Sequence, residues 1–377
     1  MKPRRLWAVA RKEFLHILRD PRSLGMAIAI PMLLLVLFGY ALTLDVDHVP
    51  VVVWDQSQSE VSRDFVSRFA GSPYFLLSGY VRNYREVEQA IDSREALLAL
   101  VIPTDFARRL GSGRAAAVQV IADGSDSNTA TIALGYAGVV AQTYSQDIAI
   151  DEVRRLSGTT PVLPLELRPR VWFNADLESK NYIIPGLIAV IMMIIAALLT
   201  SLTVAREWER GTMEQLISTP LRTEELILGK LLPYFLIGLL DVLLAVAMGQ
   251  FLFHVPLRGS VALLFALAAV FLTGTLALGL VVSIVARNQL LANQLAMVVT
   301  FLPAFLLSGF MFAISNMPGA IRLVTYFVPA RYFVAVLKGI YLKGVGLAVL
   351  GGEALLLVLF ALVVLVVAKA TFRKKLA

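Results

Sequence analysis

Long apolar runs separated by short polar segments dominate the sequence. A helix of roughly 20 apolar residues crosses a hydrocarbon core of about 30 Å. Six runs meet that length, and they cover residues 24–44, 183–204, 231–252, 261–285, 290–313 and 350–368. The pattern therefore predicts an all-α membrane part with six transmembrane helices. Small residues within these runs, Gly274, Gly279 and Ser283, are expected to allow close helix packing.

Residues 1–23 precede the first run and are amphipathic. Apolar residues recur there at helical spacing, and basic residues occupy the rest of the wheel; the apolar set is Leu6, Trp7, Ala10, Phe14, Ile17 and Leu18. The pattern predicts an interfacial helix on the cytoplasmic surface that ends before Asp20-Pro21. A basic tail that only orients the first span is the alternative. The run 24–44 is longer than a signal-peptide core of about 7–15 residues, so we interpret it as an uncleaved span.

Residues 45–181 form a polar insert of domain size between the first two runs. Short strand-like segments alternate with helical ones, at 49–54, 74–79, 97–102, 116–122 and 167–173 for strands and at 59–70, 84–93, 103–110 and 126–156 for helices. Such alternation predicts an α/β domain with at least some parallel pairing. Asp123 and Asp126 lack the spacing of a calcium loop, so we expect a turn and a helix N-cap there and no metal site.

The segment 314–349 is too polar for a seventh span. Pro329 interrupts it, and Arg331, Lys338 and Lys343 lie among apolar residues. Two short helices, interfacial or dipping partway into the bilayer, are predicted.

Composition and charge agree with a membrane protein. The chain is 58% hydrophobic and 16% charged, with a net charge of +7. The insert holds 13 Lys/Arg and 18 Asp/Glu, so the membrane part is basic. With the N-terminus inside, the inner segments hold 16 Lys/Arg and the short outer loops hold 5. The positive-inside rule therefore places both termini in the cytoplasm, and nothing in the sequence points to nucleic-acid binding.

No catalytic constellation stands out. The chain has no cysteine, its three histidines lie in different regions, and no G-x-x-x-x-G-K-[ST] loop is present. Without that loop the chain lacks the usual means of hydrolysing ATP, and we expect no enzyme, no metal and no cofactor bound by this chain. Asp241, inside the third run, is the one clearly intramembrane acid. It is a candidate for the substrate pathway, and a structural partner for a neighbouring polar group is the equally weighted alternative.

A dense charged segment, REWERGTMEQLISTP, separates the second and third runs at 206–220. If this segment is one helix, Glu207, Arg210, Gly211 and Glu214 share a face. Met213, Leu216, Ile217 and Pro220 form a second face. Gly211 is a candidate bend, and Thr223 a candidate cap for the next helix, with Glu224 and Glu225 in its first turn. A solvated loop between spans is the plain alternative.

The segment 206–220 resembles the signature of ABC-2-type transporter permeases, and the resemblance extends over nearly the whole chain. In that family the signature marks a cytoplasmic coupling helix that contacts the ATPase. The resemblance therefore implies ATPase-coupling roles for residues matching the signature, which are Arg206, Glu207, Glu209, Arg210, Gly211, Thr212, Glu214 and Pro220. The large insert between the first two spans is similar to that of the drug-efflux branch.

The resemblance also implies a function and partners. The chain would be the permease subunit of an ATP-driven exporter of drugs or other hydrophobic or amphiphilic molecules in a bacterial inner membrane. A separate ABC ATPase would hold ATP and Mg²⁺, and a second permease copy or paralogue would complete the pathway. A periplasmic adaptor and an outer-membrane channel are further expected partners, together with membrane lipids. An ion-gradient-driven secondary transporter and a non-transporting, partner-binding membrane protein are the alternatives.

Overall fold

The computed structural model describes residues 2–20, 25–42, 46–157, 170, 172–174 and 178–372. The chain divides into two compact units, a helical unit of Met1–Thr43 with Arg170–Ala377 and an insert of Leu44–Pro169. In chain order the elements are α1 (Pro3–Arg19), α2 (Ile30–Ala41), β1 (Val49–Asp55), α3 (Glu60–Ala70), β2 (Phe75–Tyr80), α4 (Tyr84–Asp92), β3 (Leu98–Ile102), α5 (Phe106–Gly111), β4 (Gln119–Ala122), α6 (Ser127–Ser157), α7 (Ser179–Glu209), α8 (Thr212–Ser218), α9 (Thr223–Phe251), α10 (Val261–Ala286), α11 (Gln289–Leu307), α12 (Gly319–Thr325), α13 (Pro329–Lys338) and α14 (Leu347–Thr371).

Five helices among the described residues are long and apolar enough to cross a membrane, namely α7, α9, α10, α11 and α14. They correspond to five of the six apolar runs. The share of the most apolar stretch that is buried is 83% for α7, 22% for α11 and 28% for α14. Helix α7 is therefore the centre of the helical unit, and α11 and α14 are peripheral.

The first apolar run forms a shorter helix than the sequence predicts. A π-helical turn, Gly25–Ala29, leads into α2, and residues 21–24 and 43–45 lie outside the described residues. The apolar helix Ala27–Ala41 falls in the class of 10–17 residues, below the length of the five long helices. A crossing of the membrane by this segment stays a prediction.

The segment after α11 forms two short helices, as predicted. Helix α13 continues through a π-helical turn to Lys343. This continuous helical segment lies at an angle of 82° to α12. A pair bent in this way is either one broken span or a re-entrant loop, so the number of apolar crossings in the described chain is five or six.

Close helix contacts occur where the small residues were predicted to allow them. A side chain at Gly274 would meet the Phe360 ring of α14 at 2.7 Å, and one at Gly279 would collide with Thr200 of α7. The Ser283 hydroxyl accepts hydrogen bonds from the backbone N–H groups of Val204 and Ala205, both at 2.9 Å. Helix α10 can therefore lie directly against α7.

The insert contains a four-stranded sheet of order β2-β1-β3-β4. Strand β1 is parallel to β2 and β3, and β3 is antiparallel to β4, which confirms the predicted partial parallel pairing. The strand predicted at 167–173 falls largely outside the described residues. Asp126 precedes α6 and accepts hydrogen bonds from the N–H groups of Asn128 and Thr129, so the predicted cap is confirmed. Hydrogen bonds from the Thr129 hydroxyl and backbone lower the pKa of Asp126.

Candidate functional site

The signature segment is not one helix. Helix α7 runs on to Glu209, and the chain then turns at Gly211, whose φ of +68° is left-handed. Helix α8 follows, and Thr219 is extended. Glycine adopts a positive φ without the steric cost that other residues incur, so the predicted bend is a complete helix break. The prediction that Glu207, Arg210, Gly211 and Glu214 share one helical face is therefore wrong, because the chain breaks into two helices at Gly211.

Helix α8 is anchored by one side and exposed on the other. Met213 is buried in the core of the helical unit, and Leu216 packs against the same core. Glu214, the residue that follows Met213, is exposed. The side chain of Ile217 lies outside the described residues, and Pro220 is exposed, so the predicted second apolar face is confirmed only at Met213 and Leu216.

The signature residues at the end of α7 lie in two different surroundings. Glu209 and Arg210 are exposed, whereas Glu207 is only 6% exposed. Arg206 is half-buried and its guanidinium lies 3.4 Å from the Gln289 side-chain oxygen. Thr212, the first residue of α8, donates a hydrogen bond to the Glu207 carbonyl at 3.4 Å.

Glu207 belongs to a buried ionic network that joins three helices. Lys230 of α9 lies 2.9 Å from Glu13 Oε1 of α1 and 2.9 Å from Glu207 Oε2 of α7. Lys12 of α1 lies 3.0 Å from the other oxygen of Glu207. Only the first and last of these contacts also have hydrogen-bond geometry, so the Lys230–Glu207 contact is an ion pair alone. We call these four residues the α1-end network.

The network is energetically demanding because its central lysine is buried. The Lys230 side chain is 1% exposed, and those of Glu13 and Glu207 are 6% and 8% exposed. A buried ammonium is tolerated only with compensating charge, and removing one partner of a buried pair typically costs about 3–5 kcal/mol. Lys12 is 54% exposed, so its ion pair contributes at most about 1 kcal/mol.

The docking of α1 on α9 brings Glu13 to Lys230. Gly229 provides the close approach, since a side chain there would meet Val9 at 2.8 Å. Ala10 and Ile17 are buried on the same side of α1, whereas Trp7 is 63% exposed. The predicted helix is confirmed, but its apolar residues divide between a face against α9 and an exposed face. Sequence reasoning missed Glu13, Lys12 and Lys230. Two signals were available in the sequence: Glu13 lies one helical turn after the apolar Val9, and Lys230 lies at the edge of an apolar run.

Two carboxylates fix the neighbouring helix ends. Glu209 accepts a hydrogen bond from the Gln289 backbone N–H at 2.7 Å and another from its side-chain amide, which ties α7 to the start of α11. Glu225 accepts hydrogen bonds from the N–H groups of Arg222, at 3.0 Å, and Lys2, at 2.6 Å. The predicted cap at Thr223 is therefore wrong, because Arg222 is the N-cap and Thr223 is the first helical residue.

Asp241 lies apart from the network, farther along α9. It is 1% exposed, and within the described chain its Oδ1 has no hydrogen-bond partner. The alternative of a structural partner on a neighbouring helix finds no support among the described residues. Those residues also hold no group of three or more side chains suited to a metal ion.

Comparison with known proteins identifies the family to which the chain is similar. The family model for the ABC-2 family transporter protein matches residues 21–369. The chain is 42% identical to the probable multidrug ABC transporter permease YbhS of Escherichia coli K12 over 342 residues, 90% of this chain and 89% of that one. It is 32% identical to the probable multidrug ABC transporter permease YbhR of the same organism, over 98% and 99% of the two chains. The inner membrane transport permease YhhJ of Escherichia coli K12 is 26% identical to this chain, over 91% of this chain and 92% of that one.

Proposed function

Because the chain belongs to the ABC-2 transporter family and is a membrane component of an ATP-binding cassette exporter, we propose that α8 and the residues beside it form its contact with the ATPase. The supporting observation is the division of α8, which is anchored through Met213 and presents Glu214 outward. Because Met213 and Leu216 anchor α8 in the core, a push on its exposed side would be passed to the helical unit. Glu209, Arg210 and Pro220 would border this contact, since each is exposed.

The α1-end network would carry the push from α8 into the bilayer. Glu207 lies four residues before the Gly211 break, and Lys230 lies near the start of the next helix. Their ion pair, together with Glu13, makes α1, α7 and α9 move as one body at this end. A displacement of α8 would therefore tilt α7 and α9 together, which is the rigid-body motion that alternating access requires.

The proposed topology follows the charge bias of the sequence. We assign six spans, counting α2 as the first, with both termini in the cytoplasm and the insert on the extracytoplasmic side of a bacterial inner membrane. The 16 to 5 distribution of Lys/Arg supports this orientation. The exposed Trp7 and Phe14 side chains of α1 would then lie in the membrane interface.

The assembly would contain more than this chain. A separate ABC ATPase would bind ATP and Mg²⁺, and a second permease copy or paralogue would supply the other half of the pathway. The named relatives support drugs or other hydrophobic and amphiphilic molecules as cargo. Asp241, which is buried and whose Oδ1 has no hydrogen-bond partner among the described residues, would contribute to the cargo pathway. The insert would meet a periplasmic adaptor that leads to an outer-membrane channel.

Cysteine labelling tests the proposal directly, because the chain has no cysteine of its own. In Glu214→Cys and in the control Asn316→Cys the introduced thiol is unique and lies on an exposed residue. A membrane-impermeant maleimide should label Glu214→Cys only in inside-out vesicles and Asn316→Cys only in right-side-out vesicles. A short thiol-to-amine cross-linker should join Glu214→Cys, and not the control, to a nucleotide-binding subunit. Labelling of Glu214→Cys from outside would refute the proposal.

A further inference from the structure

A second charged site lies at the end of the helical unit opposite the network. A cavity of about 550 Å³ opens there between the start of α7, the end of α11, helices α12 and α13, and the start of α14. Small-molecule sites usually measure about 300–1,000 Å³. We call it the α13 cavity. Its lining includes three aromatic rings, two cations and one acid, which are Tyr182, Tyr326, Tyr332, Arg331, Lys338 and Glu353.

Lys338 lies in the wall of the cavity and has no counter-ion among the described residues. Its ammonium lies 3.3 Å from the centre of the Tyr182 ring and 3.2 Å from the Gly309 carbonyl oxygen. The Tyr182 hydroxyl donates to the same carbonyl at 3.2 Å, so ring and carbonyl fix the ammonium in place. An ammonium has three donors, and these contacts engage it only in part.

Arg331 is in a similar position about two turns earlier on the same helix, α13. Its guanidinium carbon lies 3.9 Å from the centre of the Tyr326 ring and 5.9 Å from that of Tyr332. It also donates to the Thr325 hydroxyl. Within the described part of the chain no carboxylate lies within 4.0 Å of Arg331 or of Lys338.

The acid of the cavity does not neutralise these cations. Glu353 belongs to α14 and makes no ion pair among the described residues, although it lines the same space. Two cations against one acid leave the lining with an excess positive charge. A guanidinium and an ammonium that keep free donors beside an open cavity are suited to a phosphate, sulfonate or carboxylate group.

Apolar surface adjoins the cations. Helix α12 and the residues after it leave large apolar side chains exposed, with Leu323 at 66%, Val324 at 51% and Phe327 at 80%. Cations and tyrosines next to such a surface are typical of a membrane interface. A ligand that satisfies both features has an anionic head and a hydrocarbon body.

We propose that the α13 cavity binds the anionic headgroup of an amphiphile, with Arg331 and Lys338 contacting the head and the exposed face of α12 contacting the apolar body. Glu353 limits the strength of this binding by repulsion. The ligand is either a lipid of the surrounding leaflet or an exported molecule. Only the second alternative rests on the proposed export function; the binding site itself does not.

Fluorescence titration of the full chain in phosphatidylcholine nanodiscs tests the site. The probe is 11-(dansylamino)undecanoic acid, and its uncharged methyl ester is the matched control. We expect the acid to bind more tightly than the ester, and Lys338→Gln and Arg331→Gln each to weaken acid binding about tenfold while leaving ester binding unchanged. Lys338→Arg should retain binding, and Glu353→Gln should strengthen it about threefold.

Each outcome bears on the proposal. Equal binding of acid and ester, or unchanged acid binding in Lys338→Gln, overturns it, and a gain in Glu353→Gln cannot arise from misfolding. Competition by 30% phosphatidylglycerol in the nanodisc would assign the site to a lipid headgroup. Acid binding without such competition would assign it to an exported amphiphile. The titration contains no ATPase, so its result is independent of whether α8 is the coupling contact.

Discussion

The two ends of the helical unit treat their charged side chains in opposite ways. In the α1-end network Lys230 has two carboxylates at 2.9 Å. In the α13 cavity Lys338 has a ring and a carbonyl, and Arg331 has rings and a hydroxyl. Lys230 is buried and Lys338 is half-buried, and among the described residues only Lys230 pairs with acids of the same chain.

This difference separates a joint from a binding site. Opposite charges that saturate one another cannot bind a ligand without first breaking an internal contact, so the α1-end network is suited to transmitting force. Cations held by aromatic rings keep donors for an external anion, since a ring accepts no proton and carries no net charge. Saturation by the chain's own acids is therefore the property that distinguishes the two ends.

The largest expected effect is loss of the central cation. Lys230→Met leaves the carboxylates of Glu13 and Glu207 buried without their shared partner, and we expect a destabilisation of about 3–5 kcal/mol. Thermal unfolding of the purified chain, followed by loss of helical circular dichroism, measures it. The control Lys12→Met removes an exposed cation from the same network and should cost at most about 1 kcal/mol. Equal effects of the two changes would mean that burial does not set the importance of these charges.

The next effect concerns the break between α7 and α8. Gly211→Ala forces a side chain into a left-handed conformation, which costs about 1–2 kcal/mol, whereas asparagine tolerates that conformation better. We expect Gly211→Ala to reduce coupled ATPase activity in membranes and Gly211→Asn to retain most of it. No side chain would clash at this position, because nothing lies within 4 Å of it. If both variants lose activity equally, backbone conformation is not the cause.

The smallest effect on stability comes from making the α13 cavity resemble the other end. Ala335 is exposed, lines the cavity, and lies four residues after Arg331 and three before Lys338. In Ala335→Glu the new carboxylate can pair with both cations, which should add only about 0.2–0.5 kcal/mol of stability for each pair. Binding of the dansyl acid should nevertheless fall about tenfold, as for removal of a cation. Ala335→Gln is the control of the same shape, and an equal loss of binding in it would point to steric obstruction.

Several features could be read from local sequence alone. The length of five apolar runs, the bent segment around Pro329, the strands of the insert and the cap at Asp126 all depend on residues close together in the chain. Two local patterns are each compatible with more than one structure. The helical spacing through Gly211 predicts one continuous face, but the left-handed turn at Gly211 divides it. Thr223 is a residue type suited to a helix cap, but Arg222 is the N-cap.

The sequence by itself determined the membrane character, the insert and the signature that marks this family. Only the tertiary structure decided which charges meet, because Glu13 and Lys230 are 217 residues apart and Lys12 and Glu207 are 195 apart. Periodicity and length depend on residues close together in the chain, so they can be read directly from the sequence. Pairing of buried charges depends on which helices pack together, and it leaves no mark on the spacing of residues along the chain.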